Sequence, residues 1–592
     1  MRWLTRLIIT LLILFLFVII FTYISLQTRW GASYASQFLS KLTSYNIDVG
    51  IMGHEFANPG EFIFQDIKLS SANNDISVDA KQIVVEMSWR KLFSGNAIHR
   101  LVITQGDVAL NSSETSTSIP LDAHILQFEN SRIQLNQNNN QIEAVGLTGG
   151  ITPWHPTVNH PFGYGDFRFT SNQLNINELP LKNVAITGKR QENMLVFNEA
   201  SGYLNNGYIL GSGKMLADKS IVIDSLAMNR VGWQTSISFA DLLKVIEIEH
   251  PISIKNLILT NIGLQGKDWA VSGLNTEIDQ LGFVRGSWNL PKSHIDFNID
   301  QLVIGDQQVD TLIGKANIQG DNLNIEKLSG YYYKGVFNLN ATWQRNDKTL
   351  TINEGKLAGI LYTLPNTWLD FFAQPAPNWL SGFKIQQFTL SQSLLMNIES
   401  YFPFEFTALS GNIEDINFIK QKQWGIWSGK ASFNADSGTI NQVMVRRPYM
   451  DVRQSGQASA AASLTASTEK GIVKVGLLVK QSPQKVPFLL RASGTNVDLS
   501  VLNQWGWQGF PPQLMGDFDT TLQGDLLAPK LTKTLNGELM AMPLQGKRMF
   551  RTVVNGVVTS SVESEMAPVE SETMPLEPPV PSHQQIPAIV TQ

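Results

Sequence analysis

The chain has 592 residues, no cysteine, a net charge of −5 and 16% charged residues, which excludes disulfides and thiolate metal sites. An ordinary soluble domain carries about 25% charge. Here Asn, Gln, Ser and Thr fill the deficit, and so small a net charge creates no field for nucleic acid.

Leu7 to Leu26 reads LIITLLILFLFVIIFTYISL, without a charge. As a helix it spans roughly 30 Å, the thickness of a bilayer's hydrocarbon core. We read 7–26 as an uncleaved anchor, marked by Leu7, Leu11, Phe15, Ile19 and Leu26. The rival is a cleaved signal peptide, for which Ser33-Tyr34-Ala35 offers small residues. Its apolar run exceeds the usual ~7–15 residues, and Arg29 and Trp30 intervene before the cut. Arg2 and Arg6 precede the run and only Arg29 closely follows it. The positive-inside rule therefore leaves residues 1–6 cytoplasmic and the bulk of the chain beyond the membrane.

Trp30, Tyr34, Phe38 and Leu42 recur at steps of four and predict an amphipathic helix within 27–46, lying against membrane or the first strands. From Ile47 the period changes to two. Phe62 and Phe64, Ile76 to Ala80, Ile83 to Met87, Ile98 to Ile103, and Val108 and Leu110 open a series that continues through Ile295, Phe297, Ile299, Phe337, Leu339 and Trp343 to about residue 560. Short apolar-alternating runs punctuated by Gly, Asn and Asp predict a mainly β meander of antiparallel strands. An internal repeat supports serial sheet extension: Ser201-Gly202-Tyr203-x-x-x-Gly207 recurs as Ser329-Gly330-Tyr331-x-x-x-Gly335, each after an alternating strand.

Three stretches have helical spacing instead: Phe239 to Ile248, Asn366 to Ala373 with Trp379 and Leu380, and Leu499 to Trp507. Plugging of a sheet's core is the plainest role for them. The segment 561–592 has six prolines, five glutamates and no Lys or Arg, too few packing residues to fold, and is predicted to be disordered.

No catalytic constellation is visible. There is no G-x-S-x-G elbow, P-loop or complete dinucleotide fingerprint. His155 and His160 share a proline-rich loop with no third ligand nearby. Carboxylate pairs such as Glu247 and Glu249 are expected by chance. No enzyme activity and no cofactor are predicted.

The anchor followed by Leu26-Gln27-Thr28-Arg29-Trp30-Gly31-Ala32, and Ile98-x-x-Leu101-Val-Ile-x-x-Gly106-x-Val108-x-Leu110, resemble the AsmA family of Gram-negative envelope proteins. So do Ala358-Gly359-x-x-Tyr362-Thr363-Leu364-Pro365-x-x-Trp368, Trp424-Gly425-x-Trp427-Ser428-Gly429, Arg446-Arg447-Pro448, Thr468-Glu469-Lys470-Gly471 and Gln504-Trp505-Gly506-Trp507. The blocks run in order over residues 1–510. The resemblance implies a single-pass inner-membrane protein with a periplasmic body, related to bridge-like lipid transfer proteins, whose strands form an elongated, curved half-pipe. It implies association with outer-membrane biogenesis and phospholipid movement, and it brings no catalytic residue.

A sheet with one apolar face must cover it or leave it for a ligand. Phe297, Ile299, Phe337, Leu339 and Trp343 are the candidate lining for acyl chains in a groove over 47–560. The competing arrangement is a dry sandwich against a second sheet. If 35–40 strands stack at ~4.8 Å, the groove reaches at most roughly 170–190 Å, leaving room for an outer-membrane or periplasmic protein partner. The expected function is phospholipid handling between the two membranes. The alternative is an assembly factor that binds outer-membrane protein clients through strand edges. A wall- or lipopolysaccharide-acting hydrolase has no residues to support it.

Overall fold

The computed structural model describes residues 2–561 apart from 43–44, 55–57, 59, 72–74, 89–97, 112–121, 138–139, 157–161, 178, 240, 242–250, 284–292, 369–373, 400–401, 457, 483–484 and 529. The predicted tail from 562 onward, His160, Phe371, Phe372 and most of 239–248 lie outside the described residues.

Two helices open the chain, α1 (Arg2–Leu26) and α2 (Arg29–Leu42). Leu7 and Leu26 lie within α1, and Leu11, Phe15 and Ile19 are exposed on it. The expected anchor 7–26 falls wholly within α1, and the bend comes after it, between α1 and α2. Among the described residues no single helix is long and apolar enough to cross a membrane; Ile9–Ser25 and Arg29–Lys41 pass only together, bent by 89°.

Every described strand belongs to one 33-stranded sheet. The expected 35–40 strands are fewer because many are long, up to 17 residues in Phe404–Lys420. Several short strands lie end to end and share a ladder position, leaving about 29 positions, so at ~4.8 Å each the stack reaches at most roughly 140 Å. Strands pair in chain order. β1 (Tyr45–His54), β2 (Glu61–Ser71), β3 (Ile76–Met87) and β4 (Ile98–Asn111) form an antiparallel meander. β4 then meets β5 (Ala123–Gln137) in parallel.

From that parallel step the fold repeats itself. β5 is followed antiparallel by β6 (Asn140–Thr152), β7 (Gly165–Ile176), β8 (Leu179–Gln191), β9 (Met194–Leu204), β10 (Gly207–Leu216) and β11 (Ile221–Asn229), which β12 (Gly232–Gln234) prolongs. A second parallel step from β11 and β12 leads to β13 (Ile252–Gln265). The same series follows in β14 (Trp269–Phe283), β15 (Ser293–Ile304), β16 (Gln307–Gln319), β17 (Asn322–Tyr332), β18 (Gly335–Gln344), β19 (Thr349–Ala358) and β20 (Leu361–Thr363). Equivalent strands of the two modules start 128 or 129 residues apart. A third parallel step joins β19 and β20 to β21 (Gly382–Asn397).

The sequence repeat marks the β9–β10 and β17–β18 hairpins. Asn205-Asn206 and Tyr333-Lys334 both have positive φ, 46° and 69° in one and 43° and 65° in the other, the two-residue turn that matches strand twist. The glycine after each turn has a steric cause. A Cβ on Gly207 would lie 2.4 Å from the Val231 backbone, and one on Gly335 2.6 Å from the Ile360 nitrogen.

Curvature comes from a recurring bulge. The first strand after each parallel step carries a left-handed residue, Asn130, Asn261 and Gln392, where the ladder slips register. Its freed N–H donates to a side chain on the next strand: Thr148 Oγ1 at 3.1 Å, Asn275 Oδ1 at 2.9 Å and Ser410 Oγ at 3.0 Å. Aligned bulges bend the sheet about one line.

The first edge is closed by α2. The N–H groups of Ile47 and Val49 on β1 donate to Ser40 Oγ and Ser36 Oγ, both at 2.9 Å. These hydroxyls take the place of a neighbouring strand. Replacing both (Ser36→Ala with Ser40→Ala) is expected to destabilise the edge by about 1–3 kcal/mol per orphaned donor. Faster amide exchange at Ile47 and Val49 would show it, and unchanged protection would refute the capping role.

An apolar face along the whole sheet

Residues directly opposite in adjacent strands share a face. One such line, starting at Phe64, crosses β2 to β11 through Ile83, Ile103, Phe128, Gly149, Phe169, Ile186, Ala200, Gly211 and Leu226. It passes on through Leu257, Ile278, Ile295, Ala316, Ile325, Ala341, Ile352, Ile385 and Ile416. No polar residue interrupts it. A second line, Leu339, Gly355, Phe388, Ile413, Ala431, Val452, Ala462, Leu477, Leu490, Leu522, Gly537 and Val553, carries the same face to the C-terminal strands.

The described strands supply no second sheet, so the sandwich arrangement is set aside: among the described residues, α2, the sheet's own curl and connecting segments lie against the face. Three of these segments are visible. Trp154 and Phe162 reach over the first module. Ala376 and Leu380 bury against Ile419. Leu499, Leu502, Trp507 and Phe510 form a dense cluster with Phe518 and Leu539 at the far end. This last segment is the third predicted helical stretch, of which only Val501–Gln504 is α-helical.

Two cavities with almost wholly apolar walls lie near the N-terminus. A cavity of ≈ 360 Å³ is bounded by Leu39 of α2, Tyr45, Phe64, Ile83, Leu101, Phe128, Trp154 and Phe162, among other apolar residues. Burial raises the Tyr45 phenol pKa above its ordinary value. On the other side of Phe162, a cavity of ≈ 250 Å³ continues along β5 to β9, lined by Ile142, Phe167, Phe169, Ile186, Arg190 and Phe197. Phe162 lines both, so the two are compartments of one groove divided by the loop before β7. His155 of that loop pairs with Asp122, Nδ1 to Oδ1 2.5 Å, rather than facing the groove.

Aromatic rings on the floor lie flat. Phe167, Phe297, Phe388 and Phe433 each cover a glycine of an adjacent strand, Gly188, Gly314, Gly355 and Gly411; a Cβ on those glycines would come within 2.5, 2.2, 2.4 and 2.3 Å of the ring. A phenyl laid over a glycine adds apolar area without standing up into the groove.

The sequence-predicted lining residues occupy this face in the second module. Phe297 lies opposite Gly314, Phe337 opposite Gly330, Leu339 opposite Leu328 and Trp343 opposite Leu323. These four are half-buried, whereas Ile299, opposite Leu312, is buried. The sequence reading did not single out the Trp154–Phe162 loop as lining; its histidines drew attention instead of its aromatics.

α2 turns Ala32, Ser36 and Leu39 toward β1 and leaves Trp30, Tyr34 and Phe38 outside at 65%, 59% and 64% exposure. These three residues of the predicted stripe therefore do not pack on the strands.

No family model matches the chain. Over 571 residues, 96% of its length, the chain is 26% identical to the AsmA family protein YicH of Escherichia coli (strain K12), and it covers all of that protein.

Proposed function

We propose that this chain, assigned to the AsmA family by its end-to-end similarity to YicH, is an inner-membrane-anchored periplasmic protein that holds phospholipid acyl chains along its apolar face, in the service of outer-membrane biogenesis. The uninterrupted apolar line from Phe64 to Ile416 carries this reading. Each methylene taken from water contributes about 0.8 kcal/mol, and the attraction has no direction, so a chain can move from strand to strand without a fixed site. The exposed apolar surface of α1 and the aromatic stripe of α2 support a membrane seat for the N-terminus. The first cavity then opens directly beneath that seat, because Leu39 of α2 is part of its wall.

A photoreactive residue at Leu339, on the floor, is expected to yield lipid adducts by mass spectrometry of the full chain in its membrane. The same residue at Asn338, exposed on the opposite face, is expected to yield none. Equal yields at both positions would reject the groove.

One observation favours a second reading. The last described strand, Val557–Ser561, pairs on one side only among the described residues, and Val557 is exposed. An open edge of this kind accepts a strand from a protein client. Crosslinks from Val557 to nascent outer-membrane proteins, without lipid adducts at Leu339, would favour it.

A further inference from the structure

At one position of the apolar face the two modules differ in charge. On β8, Arg190 lies opposite Gly165 of β7 and Leu195 of β9, and it lines the second cavity beside Phe162, Phe167 and Phe197. Its counterpart 128 residues later is Ile318 of β16, opposite Leu323 of β17 and buried. The same backbone position thus folds with an isoleucine, and the architecture does not require a cation there. Placing one there has a cost, since burial lowers the pKa of the guanidinium. The position is also particular. Arg190 stands next to the end of β8, where the strand turns into β9, so the charge is near the rim while the apolar wall descends from it.

We propose that Arg190 receives the phosphate of a phospholipid headgroup whose acyl chains occupy the apolar compartments on either side of Phe162. The guanidinium fork matches phosphate oxygens in pairs, and the adjoining wall takes the tails, so the site selects an amphiphile rather than a free anion or a neutral oil. The inference rests on the groove reading above and adds to it a point at which the headgroup is read.

The test uses the full chain in phosphatidylcholine vesicles containing a trace of a diazirine-acyl lipid, either phosphatidic acid or diacylglycerol with identical chains. Labelling is mapped to β9. The wild-type chain is expected to label about tenfold more with the phosphate-bearing probe, the scale of one charge-assisted contact. Arg190→Ile, which installs the second module's own residue, is expected to bring that ratio to near one, and Arg190→Lys to keep most of it. Lys189→Met, a neighbour on the other face, should leave the ratio as in wild type. An unchanged ratio in Arg190→Ile, or a wild-type ratio near one, overturns the assignment while leaving the groove intact. If Arg190→Ile loses both labels, Arg190→Lys decides: a retained ratio supports the assignment and a ratio near one overturns it. Erasure of the label by excess inorganic phosphate would make this a free-phosphate site and overturn the lipid assignment. No label from either probe in wild type overturns both this inference and the groove.

Discussion

A chain lacking residues 123–251 is expected to fold into a sheet shorter by one module. The excision removes β5 to β12 and the connection after them, and leaves β4 followed by β13. β4 already takes a parallel partner in β5, and β13 already takes parallel partners in β11 and β12, so the new junction repeats an existing one. Strands make their substantial contacts with their ladder partners, which makes the sheet quasi-one-dimensional and lets whole units be lost without unravelling the rest. Seven strand positions at ~4.8 Å correspond to about 34 Å. Small-angle scattering is expected to show the longest dimension reduced by up to that amount, with cooperative thermal unfolding retained. An aggregated or unfolded product would show that the modules are not independent units. If the groove must reach across a fixed gap, the shortened chain should also fail to complement a deletion strain despite being folded.

The second large effect concerns the floor itself. Leu339→Asp puts a carboxylate midway along the face, in line with Leu328 and Gly355. Bringing acyl chains over it would desolvate the charge, at a cost of several kcal/mol, so lipid recovered with the protein is expected to fall at least tenfold. Because Leu339 is only half-buried, the folded chain keeps that carboxylate hydrated, and the melting temperature should move little. Asn338→Asp on the opposite face is the matched control. Undiminished lipid in Leu339→Asp would mean that acyl chains do not run along this line. A steric version is Gly355→Ala, in which the new methyl would meet the Phe388 ring at 2.4 Å and force it upright into the groove.

Much of this architecture was written in the alternation of apolar and polar residues, which fixes strands and their faces without reference to partners. The hairpins at Asn205-Asn206 and Tyr333-Lys334 were legible because their glycines have a steric cause that leaves a trace in sequence. The full extent of the duplication was not legible, since β5 to β8 and β13 to β16 share spacing and register rather than residues. The apolar cavities near the N-terminus were missed for a related reason. Their walls are brought together by the curl of β1 to β8 and by the overhanging Trp154 and Phe162, and curl depends on single left-handed residues such as Asn130. An asparagine inside a strand reads as polar on any periodicity scale and says nothing of bending. The predicted candidates came instead from the second module, where alternation is cleanest. Arg190 drew no notice either, because a lone arginine in a strand acquires meaning only beside Ile318 of the duplicate.

The two ends of the sheet are treated differently, and this bears on what the molecule can assemble into. A ribbon with both borders bare would join head to tail, each copy templating the next, and nothing in such a union closes it. With the Ser36 and Ser40 hydroxyls on Ile47 and Val49 of the starting border, the finishing border is, among the described residues, the one left without such a cap. An asymmetry of this kind favours a tail-to-tail pair, which closes on itself, over head-to-tail growth.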